Sequence, residues 1–328
     1  MAPGAHASRL LFTKIMTQPL SIVAYRSCLP SKNKKQEKVD ALIKFCLGVH
    51  ANGDNAYMHE GQDTVPCDVA VILGWVHEDS KNSPHLQMRK RVAAEQAAKN
   101  KHLVIIDSNL FLYKNTKNPL NYLRYSFNGV FPNTGIYCDS NPTLDRWFDF
   151  ESQLDLKLQP YRVNGNHILL CLQRQGGWSM GGIDVQSWIA STVSSIRMHS
   201  SRPIRLRAHP GDKTQHDFGR IINQFPNVHV SSPGSSLLDD LANCWAVVNH
   251  NSSPAVGAAI EGYPIFITDP ERSQCKEIAN TDFAKIEDPV LYDRQLWLTR
   301  LSMFHWNFNE VQSGQCWAHM RRYLPGIP

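Results

Sequence analysis

From residue 166 to residue 270 the chain alternates between short apolar runs and helix-length amphipathic segments. Short apolar runs set between helix-length amphipathic segments are the signature of strands and crossover helices in a parallel sheet. Strands are read at 167–173, 204–208, 228–230, 245–249 and 264–268, with helices at 185–198, 216–225, 236–243 and 254–261. Such regular alternation predicts a doubly wound sheet with crossover helices on both faces. The first half carries a looser version: strand 21–26, helix 36–47, strand 68–76, helix 86–100 and strand 102–107. Residues 108–149, rich in Asn, Gly, Pro and aromatics, read as loops with short strands, and 154–166 as a linker. The tail at 293–323 reads as helices broken near Ser313 and Gly314. A length of 328 residues fits about two domains. The expected organisation is an α/β protein with a Rossmann-like unit at 1–153, a second at 154–292, and C-terminal helices at 293–328 that cross back to the first.

Composition narrows the class. With 42% apolar and 19% charged residues the chain is neither disordered nor low-complexity. A net charge of +5 is too small for a protein that coats nucleic acid. Residues 1–150 hold 18 Lys plus Arg against 13 Asp plus Glu, and residues 151–328 hold 16 of each, so the surplus belongs to the first half. Two of those charges, Arg9 and Lys14, precede Met16, which could be the true start. The eight cysteines show no C-x-x-C pair, which fits free thiols in a reducing compartment and a cytoplasmic protein. No run reaches the roughly 18 apolar residues of a membrane span.

In an open α/β sheet, ligands bind beyond the carboxyl ends of the strands. Three such loops carry unusual residues. Arg174 to Gly182 holds four glycines, among them Gly176 and Gly177, whose backbone N–H groups could cradle a phosphate. His209, followed by Pro210, closes the next strand, where an imidazole could hydrogen-bond a phosphate or a sugar hydroxyl. The third loop is His250-Asn251-Ser252-Ser253-Pro254, polar immediately after an apolar strand and leading into a helix of small residues. Pro254 suits a first helical turn, and Asn251 or Ser253 suits the N-cap.

His209-Pro210, the Ser-Ser-x-Ala helix start and the Ala-Ala-x-x-Gly-x-Pro run into the next strand together resemble the nucleotide-sugar half of GT-B glycosyltransferases, most of all the capsular-polysaccharide type. The resemblance covers Asn166 to Pro270. It implies two Rossmann-like domains facing a cleft, a nucleotide-diphosphate sugar held by the second and an acceptor held by the first. Carried over, it places the diphosphate at Ser252 and Ser253, His209 in the donor pocket, and Glu261 against the ribose. It implies no bound metal and no cofactor beyond the donor substrate.

The first half supplies the remaining candidates. Arg26 and Ser27 end its first strand and would face an acceptor. His77, Glu78 and Asp79 end the second and Asp107 the third, so each is a candidate general base for the acceptor hydroxyl. The basic surplus of this half favours an anionic acceptor, either a glycan or lipid-linked saccharide or a hydroxymethylated base of phage DNA. A GT-B-fold epimerase, or a binding protein without turnover, would share the donor half. An NAD dehydrogenase is disfavoured because neither half carries G-x-G-x-x-G after its first strand.

Overall fold

The computed structural model describes residues 18–30, 36–75, 83–114, 118, 120–175, 178–212, 214 and 216–324. In the first domain, strands β1 (Ser21–Tyr25), β2 (Asn55–His59), β3 (Val69–Leu73) and β4 (His102–Ser108) run parallel. Strand β5 (Leu123–Phe127) joins β4 antiparallel. Helices α1 (Gln36–Ala51), α2 (Pro84–Ala98) and α3 (Leu144–Leu154) accompany them. Ile22, Val23, Val69 to Ile72 and Val104 to Ile106 are wholly buried, which explains their unbroken apolar character.

The second domain is more regular. Strands β6 (His167–Cys171), β7 (Ile204–Arg207), β8 (Val228–Val230), β9 (Cys244–Asn249), β10 (Ile265–Ile267) and β11 (Ala279–Asn280) form one all-parallel sheet in the order β8-β7-β6-β9-β10-β11. Helices α4 (Val185–Arg197), α5 (Phe218–Gln224), α6 (Leu237–Leu241) and α7 (Pro254–Ile260) connect the strands. The order reverses between β6 and β9, the switch point at which an open sheet leaves a crevice for a ligand.

The tail comprises α8 (Gln295–Met303), β12 (His305–Trp306), α9 (Phe308–Gln312) and α10 (Gln315–Arg321). It returns to the first domain. Strand β12 pairs antiparallel with β5 and completes a six-stranded sheet, β12-β5-β4-β3-β1-β2. Helix α10 is pinned by Asp54, only 2% exposed, which accepts hydrogen bonds from Trp317 Nε1 at 2.7 Å and Arg321 Nε at 2.6 Å. Arg146 of α3 pairs with Glu310 and stacks on the Trp306 ring.

Several elements differ from the sequence reading. Strand β2 was not anticipated: Asn55-Ala56-Tyr57-Met58-His59 is a polar edge strand that buries chiefly Ala56, so it lacks the apolar signature. Strand β5 agrees with the short strands expected among the loops of 108–149, whereas helix α3 was not anticipated and runs on to Leu154. The tail contains the short strand β12 besides its helices, and the bend between α9 and α10 sits at Gly314, with φ at +89°. All eight cysteines are free thiols and seven are buried. No helix among the described residues is long and apolar enough to cross a membrane.

One apolar cluster crosses the domain boundary. It joins Phe111, Tyr122, Tyr137, Trp147 and Phe150 to residues of β6, β9, α7 and α8. At its edge His305 is wholly buried, with Phe111, Phe150 and Phe304 rings around it. Its Nδ1 lies 2.7 Å from the Leu301 carbonyl oxygen, and its Nε2 accepts from Leu110 N at 3.3 Å. The ring is therefore neutral, with its proton on Nδ1. Burial pushes its pKa down to about 3. The unfolded chain then binds a proton that the native ring refuses, so stability should fall as pH drops from about 6.5 towards 3. Urea titrations at pH 7 and pH 5 should show that loss in the native protein, and a smaller one in His305→Gln.

Candidate functional site

A cavity of about 130 Å³ opens between the domains, at the carboxyl ends of the parallel strands of both sheets. The first domain contributes Ser108, Leu110, Arg124 and Phe131; the second contributes residues after β6, β9 and β10, including Ser252, Ser253 and Arg272. Its second-domain wall is the β6/β9 switch point.

That wall is held by Asn251. Its amide donates to the Ser179 carbonyl oxygen and to Asp269 Oδ2, both at 2.9 Å, and its Oδ1 accepts from Gln173 Nε2 at 2.9 Å. Asn251 thus ties three strand-end loops together. Asn249, fully buried, donates to the Ser252 carbonyl oxygen at 2.8 Å. His250 is also buried. Its Nδ1 lies 2.7 Å from Thr268 Oγ1, and burial holds its pKa below the usual imidazole range. Ser253 occupies the N-cap of α7, but its exposed hydroxyl makes no capping bond. The polar run that closes β9 therefore divides its work: Asn249 and His250 build the loop, Ser252 and Ser253 line the cavity, and Asn251 does both.

Arg272 is the cation on this side. It lies 5.7 Å from the Phe131 ring of the first domain and 3.9 Å from Asp269. Its guanidinium packs over Gly181, whose φ is +58° and where an added Cβ would lie 2.5 Å from Arg272 Nη1. The glycine-rich loop is thus shaped in part to admit Arg272. Gly176 and Gly177 lie outside the described residues. The loop starts at exposed Arg174, and the next residue is anchored, with Gln175 N donating to Asp212 at 3.1 Å. Asp212 also meets His216 at 2.8 Å. Burial would raise its pKa, but the bonds from Thr214, His216 and Gln175 outweigh it and lower the value to about 2. His209 is half-buried, and its Nδ1 accepts from Gly211 N at 3.0 Å, which leaves Nε2 to donate. Burial and the nearby Arg174 lower its pKa, so it is a neutral donor at pH 7.

On the facing wall Arg124, 8% exposed, pairs with Asp107 directly across the β4–β5 ladder. Its Nε is buried without a partner. Asp107 is thus engaged by a guanidinium. His77, Glu78 and Asp79 lie outside the described residues. Arg26 and Ser27 line a separate cavity of about 120 Å³ beside Glu60 and His85, where Arg26 pairs with Glu60 at 2.5 Å. Glu261 follows the far end of α7, away from Ser252 and Ser253. It accepts from Tyr113 OH at 2.9 Å and meets Lys114 at 3.3 Å, so it joins the domains rather than the cavity. Among the described residues no group of three His, Cys, Asp or Glu could hold a metal ion.

Sequence reasoning missed Arg124 and Arg272. Arg272 stands four residues beyond the expected end of the last strand, so the strand-end rule applied there would have reached it. Arg124 carried no signal, because its strand is one of the short strands expected, without positions, in 108–149.

The whole arrangement has solved counterparts. KpsC from Thermosulfurimonas dismutans, solved as a β-Kdo 2,4 transferase, aligns with a TM-score of 0.53 at 12% identity, over 90% of this chain and 99% of that one. Its β-Kdo 2,7 transferase structure aligns at 0.52 and 10% identity, over 91% and 99%. The fold is GT-B. The likeness covers nearly the whole chain rather than only the segment that carries the sequence resemblance. A UDP-GlcNAc 2-epimerase from Methanocaldococcus jannaschii aligns at only 0.32 and 11% identity, over 93% of this chain and 100% of that one, too slight to argue from. No protein-family model matches the chain, and no curated protein matches it in sequence.

The walls of this cavity are set by how the two GT-B domains meet. Tyr113 lies over Gly257 of α7 so closely that an added Cβ would fall 2.5 Å from its ring. Gly257→Ala should therefore cost about 1–3 kcal/mol by overpacking. Adding Tyr113→Ala should recover part of that, read as a coupling term in a denaturation double-mutant cycle.

Proposed function

We propose that the protein is a glycosyltransferase that moves a sugar from a nucleotide-activated donor to an acceptor hydroxyl, with the donor's phosphate in the interdomain cavity. The observation that carries this reading is the pair of guanidinium groups, Arg124 and Arg272, one from each domain, lining a cavity with the hydroxyl residues Ser252 and Ser253. Buried Arg124 Nε has no partner, and an anionic oxygen would supply one. The GT-B fold and its likeness to Kdo transferases support the same reading.

In this mechanism the phosphate gains negative charge as the glycosidic bond breaks, and Arg272, Arg124 and the serine hydroxyls stabilise it within a partly dry cleft. His209 Nε2 donates to the nucleotide or sugar from the neighbouring loop. The base that takes the acceptor proton comes from the first domain, from among His77, Glu78, Asp79 and Asp107. Arg26 and Ser27, with their own small cavity, stand further from the phosphate and would touch an extended acceptor.

Some basic side chains of the first half are engaged among the described residues. Arg89 is buried and donates to the Cys28 carbonyl oxygen at 2.9 Å, Lys101 pairs with Asp68 at 2.7 Å, Lys99 pairs with Glu95, and Lys114 with Glu261.

Nucleotides and nucleotide sugars should be screened by thermal shift. A donor at 100 times its Kd adds about 2.7 kcal/mol of stability. The expected result is stabilisation by at least one nucleotide sugar, weakened at least about tenfold in affinity by Arg272→Ala, the loss of roughly one charged hydrogen bond. Failure of every nucleotide and nucleotide sugar would sink the reading. Product analysis with donor alone separates transfer from epimerisation, because an epimerase needs no acceptor.

A further inference from the structure

A second and larger cavity, about 430 Å³, lies beside the first. That volume falls within the roughly 300–1,000 Å³ of small-molecule pockets. Three parts of the chain build it: the loop after β5, the loop after β10, and the returning tail. The partition between the two cavities is one hydrogen bond across the domains, from Gln274 Nε2 to Tyr137 OH at 2.7 Å, and Gln274 lines both.

The lining of the larger cavity is aromatic with polar groups at its edge. Trp297, Phe304 and Tyr137 are nearly buried and supply apolar surface, with the Tyr137 and Phe304 rings 4.4 Å apart. Tyr323 and Ser140 stand at the rim, 3.3 Å apart through their hydroxyls. The charges there are already balanced. Arg300 binds both oxygens of Glu277 at 2.8 and 2.9 Å, and Lys276 binds Glu271 at 2.6 Å. Asp139 is the exception: half-buried, it makes no ion pair and no side-chain hydrogen bond to another residue among the described residues. Its carboxyl is held above the usual range by burial, as expected of a carboxylate short of partners.

We infer that this cavity is the acceptor subsite and that its occupant is a neutral saccharide with its hydroxyls donated to Asp139. The inference rests on the transferase reading for the word acceptor. The chemistry selects the class. Sugar hydroxyls are the donors that an unpaired carboxylate lacks. A carboxylated or phosphorylated saccharide would find no free cation here and would meet Asp139 as a like charge. The short partition by Tyr137 and Gln274 places such a saccharide next to the donor's cavity. The basic surplus of the first half had suggested an anionic acceptor; the ion pairs around this cavity point the other way.

The full chain should be applied to an array of neutral oligosaccharides and their uronate-containing counterparts, and the best binder titrated calorimetrically. Two variants test the place. Asp139→Ala removes the carboxylate, and Ser140→Trp fills the mouth from an exposed position. Neutral saccharides should bind, and both variants should weaken them at least about tenfold, the worth of one charged hydrogen bond. Stabilisation by nucleotide sugar should stay within about twofold of the native protein, since neither residue lines the donor cavity; Arg272→Ala should do the reverse. Binding of charged saccharides only, no binding of any neutral saccharide, or affinity unchanged in both variants overturns the inference. If saccharide binding behaves as stated while no nucleotide sugar stabilises the protein, the cavity stands as a saccharide site and the transferase reading falls.

Discussion

The neutral, buried ring of His305 joins three parts of the chain that are far apart in sequence. One nitrogen holds the loop after β4 through Leu110, the other holds the end of α8 through Leu301, and its faces pack on Phe111, Phe150 and Phe304. It is also the cross-strand neighbour of Arg124. The first-domain wall of the cavity therefore depends on the tail being docked. Without β12, strand β5 would be an edge, and the guanidinium that lines the cavity would lose its neighbour on one side. A charged imidazole at that point would sit unpaired in an apolar cluster between Arg124 and Arg146, which is why burial and these two cations all act to keep it neutral.

The same cluster governs how the domains meet. Interfaces between domains are usually polar and permit motion, whereas a continuous apolar interface resists it. Here the apolar cluster runs from Tyr122 and Trp147 through α7 to α8, and Tyr113 seals it over Gly257 with Glu261 as its acceptor. Small residues in α7 thus have a role that neither capping nor a ligand explains. They let the first domain approach the helix whose start lines the cavity.

Legibility in the sequence followed the physics of burial. Strands β6, β9 and β10 are buried and largely apolar on both faces, so they stood out, and with them the switch point that carries Ser252 and Ser253. Strand β2 buries little on a sheet edge and left no pattern. Strand β5 has Arg124 and Ser126 inside it, because an antiparallel strand beside the cleft can pair its charge with Asp107 across the ladder, and that polarity left it unplaced among the short strands expected within 108–149. Glu261 read as a ribose ligand because the resemblance fixes its place after the helix. Sequence could not show that Tyr113 and Lys114, from the other domain, would reach it first.

The cavities themselves differ in which charge is left over. At the smaller one, Arg272 is only loosely met by Asp269, and Arg124 has a buried N–H with no partner although Asp107 takes another. At the larger one the cations are consumed by Glu277 and Glu271, and a carboxylate is left. The proposed phosphate and the proposed neutral saccharide each answer the group left over at its own cavity. A transferase that must hold a phosphate leaving group on one side and a nucleophilic hydroxyl on the other needs that asymmetry.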